Sequence, residues 1–238
     1  MPNQTRIARQ LPLVEDELDW LSDLVPLGGR QIIELGCGAA QLARQLLVRH
    51  PDSRVTGLEV DDQQHAKNLA APQSGLTFVA GAAQALPFDD RSFDLALMLK
   101  SLHHVPVHSM PRALDEAARV LRPDGFLYVS EPVFDGPFNE VVSLFNDERV
   151  VRAAAQAAID VALAGDDWLQ VDERWFETPV HFADFADFER RLMRPTFTDH
   201  HIDDDLLEHV RTAFEPHLGP HGANFIRPMH TRLLRRQG

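Results

Sequence analysis

The residues best placed to do chemistry lie in the run Ile32-Ile33-Glu34-Leu35-Gly36-Cys37-Gly38-Ala39-Ala40-Gln41. The run predicts an apolar strand that enters a glycine turn and then a helix. Glycines permit a tight turn and let a ligand approach the backbone, where the start of a helix offers unpaired N–H groups. The run therefore predicts a binding site for a nucleotide or another anionic ligand.

Two residue types in this run distinguish between classes of nucleotide. A dinucleotide fingerprint requires glycine or alanine at the position of Gln41 for close packing of helix on strand. Glu34 would face a pyrophosphate with like charge, whereas S-adenosylmethionine carries an ammonium and a sulfonium that suit a carboxylate. Glu59, about twenty residues further on, is expected to accept hydrogen bonds from ribose hydroxyls, a feature that both classes share.

The elements that must position these residues alternate between short apolar runs and helical periodicity, which predicts βαβ units and a parallel sheet. The run interiors are nearly continuous in apolar residues, as expected of strands covered by helices on both faces. The predicted strands are Gln31–Leu35, Arg54–Glu59, Leu76–Val79, Phe93–Leu99 and Phe126–Ser130. A ligand of such a sheet lies beyond the carboxyl ends of the strands, where the glycine turn is expected.

After Glu131 the pattern changes to longer helical stretches. They are predicted around Asn139–Ala164, Phe182–Met193 and Asp203–Phe214, with extended chain at Trp175–His181 and Ala223–Leu234. We predict one domain over residues 1–238, with a cofactor-binding core at 30–131 and a helical elaboration at 132–222 that covers the substrate.

The composition excludes several classes of function. With 36 acidic and 23 basic side chains, the formal charge of −13 repels nucleic acid and anionic membrane surfaces. A single cysteine requires no oxidising compartment, the N-terminus MPNQTRIARQ lacks the apolar stretch of a signal peptide, and no run is apolar enough to span a membrane. We therefore expect a cytoplasmic protein.

The run Glu34-Leu35-Gly36-Cys37-Gly38 resembles motif I of class I S-adenosylmethionine-dependent methyltransferases. Further segments match that class in order: 55–59, 78–88, 92–96, 102–105 and 120–126. The series is similar to the small-molecule branch that contains the ubiquinone and menaquinone methyltransferases, and it covers about residues 31–131. The resemblance implies a Rossmann-like doubly wound α/β sheet of seven strands, mostly parallel with an antiparallel last strand.

The resemblance also implies roles for residues in the cofactor site. It places Glu34, Gly36, Cys37 and Gly38 at the methionine end and Glu59 at the ribose. It places Val60 beside the adenine, Ala82, Ala83 and Gln84 on the other side of it, and Met98, Leu99 and Lys100 near the sulfonium. Members of the class commonly have Asp at the position of Ala82, where it accepts from the adenine amino group. The cofactor is expected to bind more weakly without it, unless Gln84 substitutes.

The predicted reaction is methyl transfer to a small organic acceptor by in-line displacement, which releases S-adenosylhomocysteine. His103 and His104 are the candidate catalytic bases for an acceptor that must lose a proton. Lys100 is expected to pair with an acidic side chain nearby or with a substrate carboxylate. Because Gly219-Pro220 would break a helix between His217 and His221, no metal site is predicted.

Four C-terminal arginines, Arg227, Arg232, Arg235 and Arg236, predict a basic surface patch with solvated or interchain ion pairs. The aromatic residues from Phe134 to Phe185 are expected either to line an apolar pocket or to pack in the core.

Two other functions stay open: a non-catalytic protein that binds S-adenosylmethionine, and a nicotinamide-dependent oxidoreductase. A homodimer is a further expectation, whereas the sequence leaves the acceptor unidentified.

Overall fold

The computed structural model describes residues 11–194, 198 and 200–238, in which helices cover both faces of one mixed sheet. The strands of these residues are β1 Gln31–Leu35, β2 Arg54–Glu59, β3 Leu76–Ala80, β4 Phe93–Leu99, β5 Leu121–Pro132, β6 Trp168–Phe182, β7 Leu218–Gly219 and β8 Gly222–Arg236. Their helices are α1 Glu17–Ser22, α2 Gln41–Arg49, α3 Asp62–Leu69, α4 Met110–Val120, α5 Gly136–Val142, α6 Arg149–Leu163, α7 Phe185–Phe188 and α8 Asp204–Phe214.

The strand order is β3-β2-β1-β4-β5-β8-β6, with parallel pairing from β3 to β5 and antiparallel pairing of β8 with both of its neighbours. This order confirms the predicted Rossmann-like sheet with an antiparallel last strand. The described sheet has eight strands, however, and not the predicted seven. The additional strand is the two-residue β7, which pairs with β8 and is too short to leave a periodic signal in the sequence.

The strands of the first half lie close to their predicted positions, and β5 is the exception. It begins at Leu121 and not at Phe126, because Pro123-Asp124-Gly125, a sequence typical of a turn, lies within the strand. Phe93 pairs with Leu121 while Leu95 pairs with Phe126, so the extra residues form an irregularity in the pairing with β4.

Two apolar layers hold the helices on the sheet. On one face, α4 buries the side of the helix that carries Met110, Ala113, Leu114 and Ala117, and α6 packs beside it. On the other face, α1 and α2 bury their leucines against β1 and its neighbours. Because β1 lies between β2 and β4, the connections that follow β1 and β4 leave a crevice at the carboxyl ends of these strands.

The segment 132–222 is not helical throughout, because it contributes the fifteen-residue strand β6. The helix predicted at Asn139–Ala164 is divided into α5 and α6. The break falls at Asp147, whose side chain accepts from the backbone N–H of Arg149 at 3.1 Å. Such local hydrogen bonds compete with helical pairing and favour a new helix start.

Six phenylalanines form the apolar layer under the C-terminal helices. This phenylalanine cluster consists of Phe138, Phe182, Phe185, Phe188, Phe214 and Phe225. The ring centroids of neighbouring members lie 4.8 to 6.2 Å apart, mostly in tilted or edge-on arrangements. Core packing therefore accounts for these rings, including three of those that the sequence offered as candidates for an apolar pocket.

The N-terminal residues 1–10, for which the sequence predicts no signal peptide, lie outside the described residues. Among the residues that are described, none of the helices is both long and apolar enough to cross a membrane.

We expect Phe182→Ala to lower the free energy of unfolding by about 3–5 kcal/mol, the usual cost of removing a fully buried phenylalanine ring. The Phe182 ring is 0% exposed and contacts four other rings of the cluster. Urea denaturation followed by circular dichroism measures the change. The control Ile226→Ala, at a side chain that is 41% exposed, should cost under about 1 kcal/mol. Equal costs for the two variants would contradict a packed C-terminal core.

Candidate active site

The glycine turn after β1 adopts the backbone that its sequence predicts. Gly36 and Gly38 have φ angles of +73° and +52°, in the left-handed region that favours glycine. A Cβ on Gly36 would lie 2.9 Å from the Cβ of Ser101, so a larger residue would have to displace the chain after β4. The N–H groups of Gly36 and Cys37 both donate to the Leu58 carbonyl, which ties the turn to β2.

The helix that follows the turn has no side-chain cap, because Ala40 occupies its N-cap position in the left-handed conformation. The first N–H groups of α2 therefore have no side-chain partner at this end. They lie at the edge of a cavity of about 1420 Å³ that opens at the carboxyl ends of the parallel strands. This is the position predicted for a bound nucleotide.

Glu34 lies at the end of β1 in the wall of this cavity, with only 4% of its surface exposed. Its Oε2 atom is buried and has no hydrogen-bond partner among the described residues. Burial raises the pKa of Glu34 from its ordinary value of 4.5 to about 8, against the opposing effect of the Lys100 charge. A cationic hydrogen-bond donor placed beside such a carboxyl group would stabilise its ionised form.

Glu59 organises the backbone on the other side of the turn. Its Oε2 accepts from the N–H of Gly38 at 2.7 Å, and its Oε1 accepts from the N–H groups of Val60 and Asp61 at 2.9 Å each. The carboxylate is only 7% exposed and lines the cavity. It is therefore held in one orientation, with lone pairs left to accept from ligand hydroxyls.

All twelve residues predicted to bind the cofactor line this single cavity. They are Glu34, Gly36, Cys37, Gly38, Glu59, Val60, Ala82, Ala83, Gln84, Met98, Leu99 and Lys100. Burial, aided by the charges of Glu34 and Glu59, raises the pKa of Cys37 to about 12, so this thiol packs as a small residue and is not a nucleophile. The roles of the twelve residues toward a ligand stay predictions, which the geometry of the cavity supports.

Lys100 forms an ion pair with a nearby acidic side chain, one of the two possibilities that the sequence left open. Its Nζ lies 3.0 Å from Oε2 of Glu17 on α1. Tyr128 donates its hydroxyl to the other oxygen of Glu17 at 3.2 Å. The short α1 helix thus supplies a carboxylate to the cavity wall, and no motif in the sequence indicates this.

The two candidate histidines occupy different positions. His104 lines the cavity and is exposed there, and partial desolvation together with the neighbouring His103 lowers its pKa, which favours the neutral, proton-accepting form near neutral pH. His103 lies behind it, with ring centroids 4.1 Å apart, and its Nδ1 is hydrogen-bonded to the buried Glu131. His104 is therefore placed to meet a substrate, whereas His103 is placed to support it.

Glu148 completes a cluster with these histidines, in which the possible metal-ligating atoms all lie within 4.8 Å of one another. Arg152 already forms an ion pair with Glu148, and Glu131 occupies one nitrogen of His103. The cluster therefore has internal charge partners that compete with a cation.

Arg227 is the functional candidate that sequence reasoning missed. The other three C-terminal arginines have partners near the surface. Arg232 pairs with Asp160 and Arg235 with Asp124, and Arg236 donates to the Leu121 carbonyl. Arg227 instead lies in the cavity wall beside Thr178 and Pro179. The sequence predicted a surface patch because spacing along one strand does not reveal which end of that strand meets the cavity.

Comparisons with known proteins agree with this architecture. Residues 33–129 match the family model of a methyltransferase domain. The chain is 42% identical over 109 residues to the phthiotriol/phenolphthiotriol dimycocerosates methyltransferase of Mycobacterium tuberculosis, over 43% of this chain and 37% of that protein. It is 38% identical over 116 residues to the fatty-acid O-methyltransferase of Mycolicibacterium smegmatis, over 46% and 40% of the two chains.

A third relative is the ubiquinone/menaquinone biosynthesis C-methyltransferase of Paracoccus denitrificans, which is 34% identical over 119 residues, 48% of this chain and 46% of that protein. The matches span less than half the length of these relatives.

Among solved structures, the YcgJ protein of Bacillus subtilis has a TM-score of 0.65 at 17% identity. The alignment covers 93% of this chain and 98% of that protein. An S-adenosylmethionine-dependent methyltransferase of Mesorhizobium loti has a TM-score of 0.53 at 18% identity, over 92% and 96% of the two chains.

Residues 33–129 therefore match a methyltransferase domain, and the chain as a whole has the fold of the solved methyltransferase structure. The match confirms the predicted resemblance to methyltransferases. It ends within β5, so the C-terminal strands and helices that complete the cavity lie outside it.

Glu34→Gln should change the pH dependence of stability in the ligand-free protein. Because the folded state raises the pKa of Glu34 from 4.5 to about 8, protonated Glu34 favours folding at low pH. That contribution is lost as the pH rises from about 4.5 to about 8.

Thermal unfolding at several pH values measures this effect. The melting temperature of the wild type should fall relative to that of Glu34→Gln as the pH rises through this range. The control Glu208→Gln, at a side chain that is 74% exposed, should follow the wild type. A constant difference between the wild type and Glu34→Gln would contradict the raised pKa.

Proposed function

We propose that the chain transfers a methyl group from S-adenosylmethionine to a small organic acceptor and releases S-adenosylhomocysteine. The observation that carries this proposal is the pair of buried carboxylates, Glu34 and Glu59, on the two sides of the glycine turn in one cavity. When bound, S-adenosylmethionine supplies a methyl group that its positive sulfur activates for in-line displacement. Most of the rate can then come from positioning the acceptor.

The residues present fit this cofactor. The unpartnered Oε2 of Glu34 is suited to the methionine ammonium, and a bound cation would return its pKa toward the ordinary value. Glu59 is suited to the ribose hydroxyls, since its carboxylate is already oriented by three backbone N–H groups. Val60 is 71% exposed at the cavity edge, where an adenine could cover it.

Gln84 is our candidate for the role of the missing Asp at position 82. Both Ala82 and Gln84 line the cavity, and the Gln84 side chain makes no hydrogen bond to any described residue. Its amide oxygen is therefore available to accept from the adenine amino group.

We propose His104 as the general base for an acceptor that loses a proton. It faces the cavity, and its lowered pKa keeps the imidazole neutral near neutral pH. His103 is then a positioning residue, because its Nδ1 is committed to Glu131 and it does not line the cavity.

The acceptor class is supported by the relatives, whose names refer to lipid, fatty-acid and quinone substrates. We propose an acceptor of that kind, a small organic molecule. No nucleic-acid or membrane partner is proposed, since the charge of −13 opposes both. A cytoplasmic location and a homodimer stay proposals, which cell fractionation and gel filtration can test.

Calorimetric titration with S-adenosylmethionine, S-adenosylhomocysteine and NADH tests the proposal. We expect the first two to bind in the micromolar range and NADH not to bind. Binding of NADH alone would favour the oxidoreductase alternative, and no binding at all would overturn the proposal. Cofactor binding without release of S-adenosylhomocysteine across an acceptor screen would favour a non-catalytic binding protein, the alternative raised by Ala82.

We expect Gln84→Ala to weaken S-adenosylhomocysteine binding by about 3- to 10-fold, the value of one hydrogen bond in a partly buried site. Ala82→Asp should strengthen binding by a similar factor, because a carboxylate at this position restores the usual acceptor. Calorimetry measures both, with Gln170→Ala as the control outside this cavity. Unchanged affinity in Gln84→Ala would show that the adenine amino group has another partner.

A further inference from the structure

Arg227 has no charge partner within the described part of the protein. Its Nε atom is buried without a hydrogen bond, and its guanidinium makes no ion pair or hydrogen bond with any residue that the structure describes. Burial lowers the pKa of this guanidinium, and the nearby Arg152 lowers it further. Arg227 is half-buried, so its charge is incompletely solvated and a ligand that neutralises it would bind favourably.

The two carboxylates that act electrostatically on Arg227 are already bound to other groups. Glu17 and Glu148 both act electrostatically on Arg227, but neither forms an ion pair with it. Glu17 is bound by Lys100 and Tyr128, and Glu148 by Arg152. One positive charge therefore stays uncompensated in this part of the cavity wall.

The location of Arg227 separates it from the cofactor side of the cavity. It lies on β8 opposite Thr178 of β6, and the carbonyl of the next residue, Pro228, accepts from the N–H of Val133 just beyond β5. The glycine turn and Glu59 lie at the ends of β1 and β2, across the sheet. The charges of Glu148 and Arg152 act on both Arg227 and His104, so Arg227 lies near the proposed base.

Building on the proposed methyl transfer, we infer that the acceptor carries a carboxylate and that Arg227 binds it. The guanidinium fork matches a planar carboxylate with two parallel hydrogen bonds. A singly charged group suits the single uncompensated charge. A phosphate dianion would leave its second negative charge without a partner beside Arg227.

Packing against an aromatic ring does not account for Arg227. Its guanidinium carbon lies 5.9 Å from the centroid of the Phe138 ring, at the outer limit of a cation–π contact. Such a contact leaves the N–H groups of the guanidinium unsatisfied. If Arg227 serves a ligand and not the fold, its removal should not lower stability.

The test uses two acids, decanoate and 4-hydroxybenzoate, and their neutral amides, decanamide and 4-hydroxybenzamide. Each is titrated by calorimetry into the full chain saturated with S-adenosylhomocysteine. We expect at least one acid to bind the wild type, and its amide to bind at least about 30-fold more weakly, because an amide leaves the half-buried cation unpaired. Failure of both acids at millimolar concentration, or equal binding of acid and amide, would overturn the inference.

Variants of Arg227 show whether this residue makes the difference. Arg227→Gln should abolish the preference for acid over amide, and Arg227→Lys should retain part of it. The control Arg235→Gln, at the other end of β8 and 3.7 Å from Asp124, should behave as the wild type. A preference that survives Arg227→Gln would overturn the inference.

Two further readouts distinguish an acceptor-binding role of Arg227 from a cofactor-binding role and from a structural role. S-adenosylhomocysteine should bind Arg227→Gln as it binds the wild type, since loss of that affinity would mean that Arg227 holds the carboxylate of the cofactor. The melting temperature of Arg227→Met should equal or exceed that of the wild type, whereas Arg152→Met should lower it. A lowered melting temperature in Arg227→Met would assign Arg227 a structural role.

If S-adenosylhomocysteine does not bind the wild type, the proposed function fails independently of Arg227. The four probes are then titrated into the ligand-free chain. Loss of acid binding in Arg227→Gln still supports an anion site, and its persistence overturns one.

Discussion

The site depends on the three hydrogen bonds that the Glu59 carboxylate accepts from the backbone. One of them comes from Gly38 in the turn after β1, and the other two come from Val60 and Asp61 after β2. The bonds fasten two loops that are far apart in sequence, and they fix where the first N–H groups of α2 point. A charged acceptor makes such bonds stronger than a neutral one, so a single buried carboxylate can hold the ligand-facing backbone rigid.

The same cavity contains two ionisable groups that have no ion-pair partner among the described residues. Glu34 at one side has a raised pKa and an unpartnered oxygen, and Arg227 at the other has a lowered pKa and no ion pair among the described residues. Lys100 and Glu17 between them are paired. Unsatisfied groups of opposite sign lower the stability of the empty protein, and binding restores the lost interactions, so stability and affinity are linked.

Much of the fold was predictable because the signals are local. Apolar runs of strand length alternate with helical periodicity through residue 131, and the glycine turn requires a backbone that few other residues adopt. Errors came where pairing with a distant strand decided the outcome. The irregularity at Pro123-Asp124-Gly125 is stabilised by pairing with β4, and the two-residue β7 exists only because β8 is beside it.

The sequence by itself determined the resemblance to methyltransferases, the glycine turn and the two carboxylates that line the cavity, because Glu34 lies directly before that turn and Glu59 ends the next strand along the chain. Only the tertiary structure decided which of two adjacent histidines faces the cavity, that Lys100 is paired with α1, and that Arg227 lines the cavity. The position of Arg227 depends on antiparallel β8 lying between β5 and β6, that of Lys100 depends on α1 packing against the sheet, and that of His103 depends on Glu131 of β5. Contacts between residues a hundred positions apart are set by the packing of whole elements, and the local pattern of residues does not encode that packing.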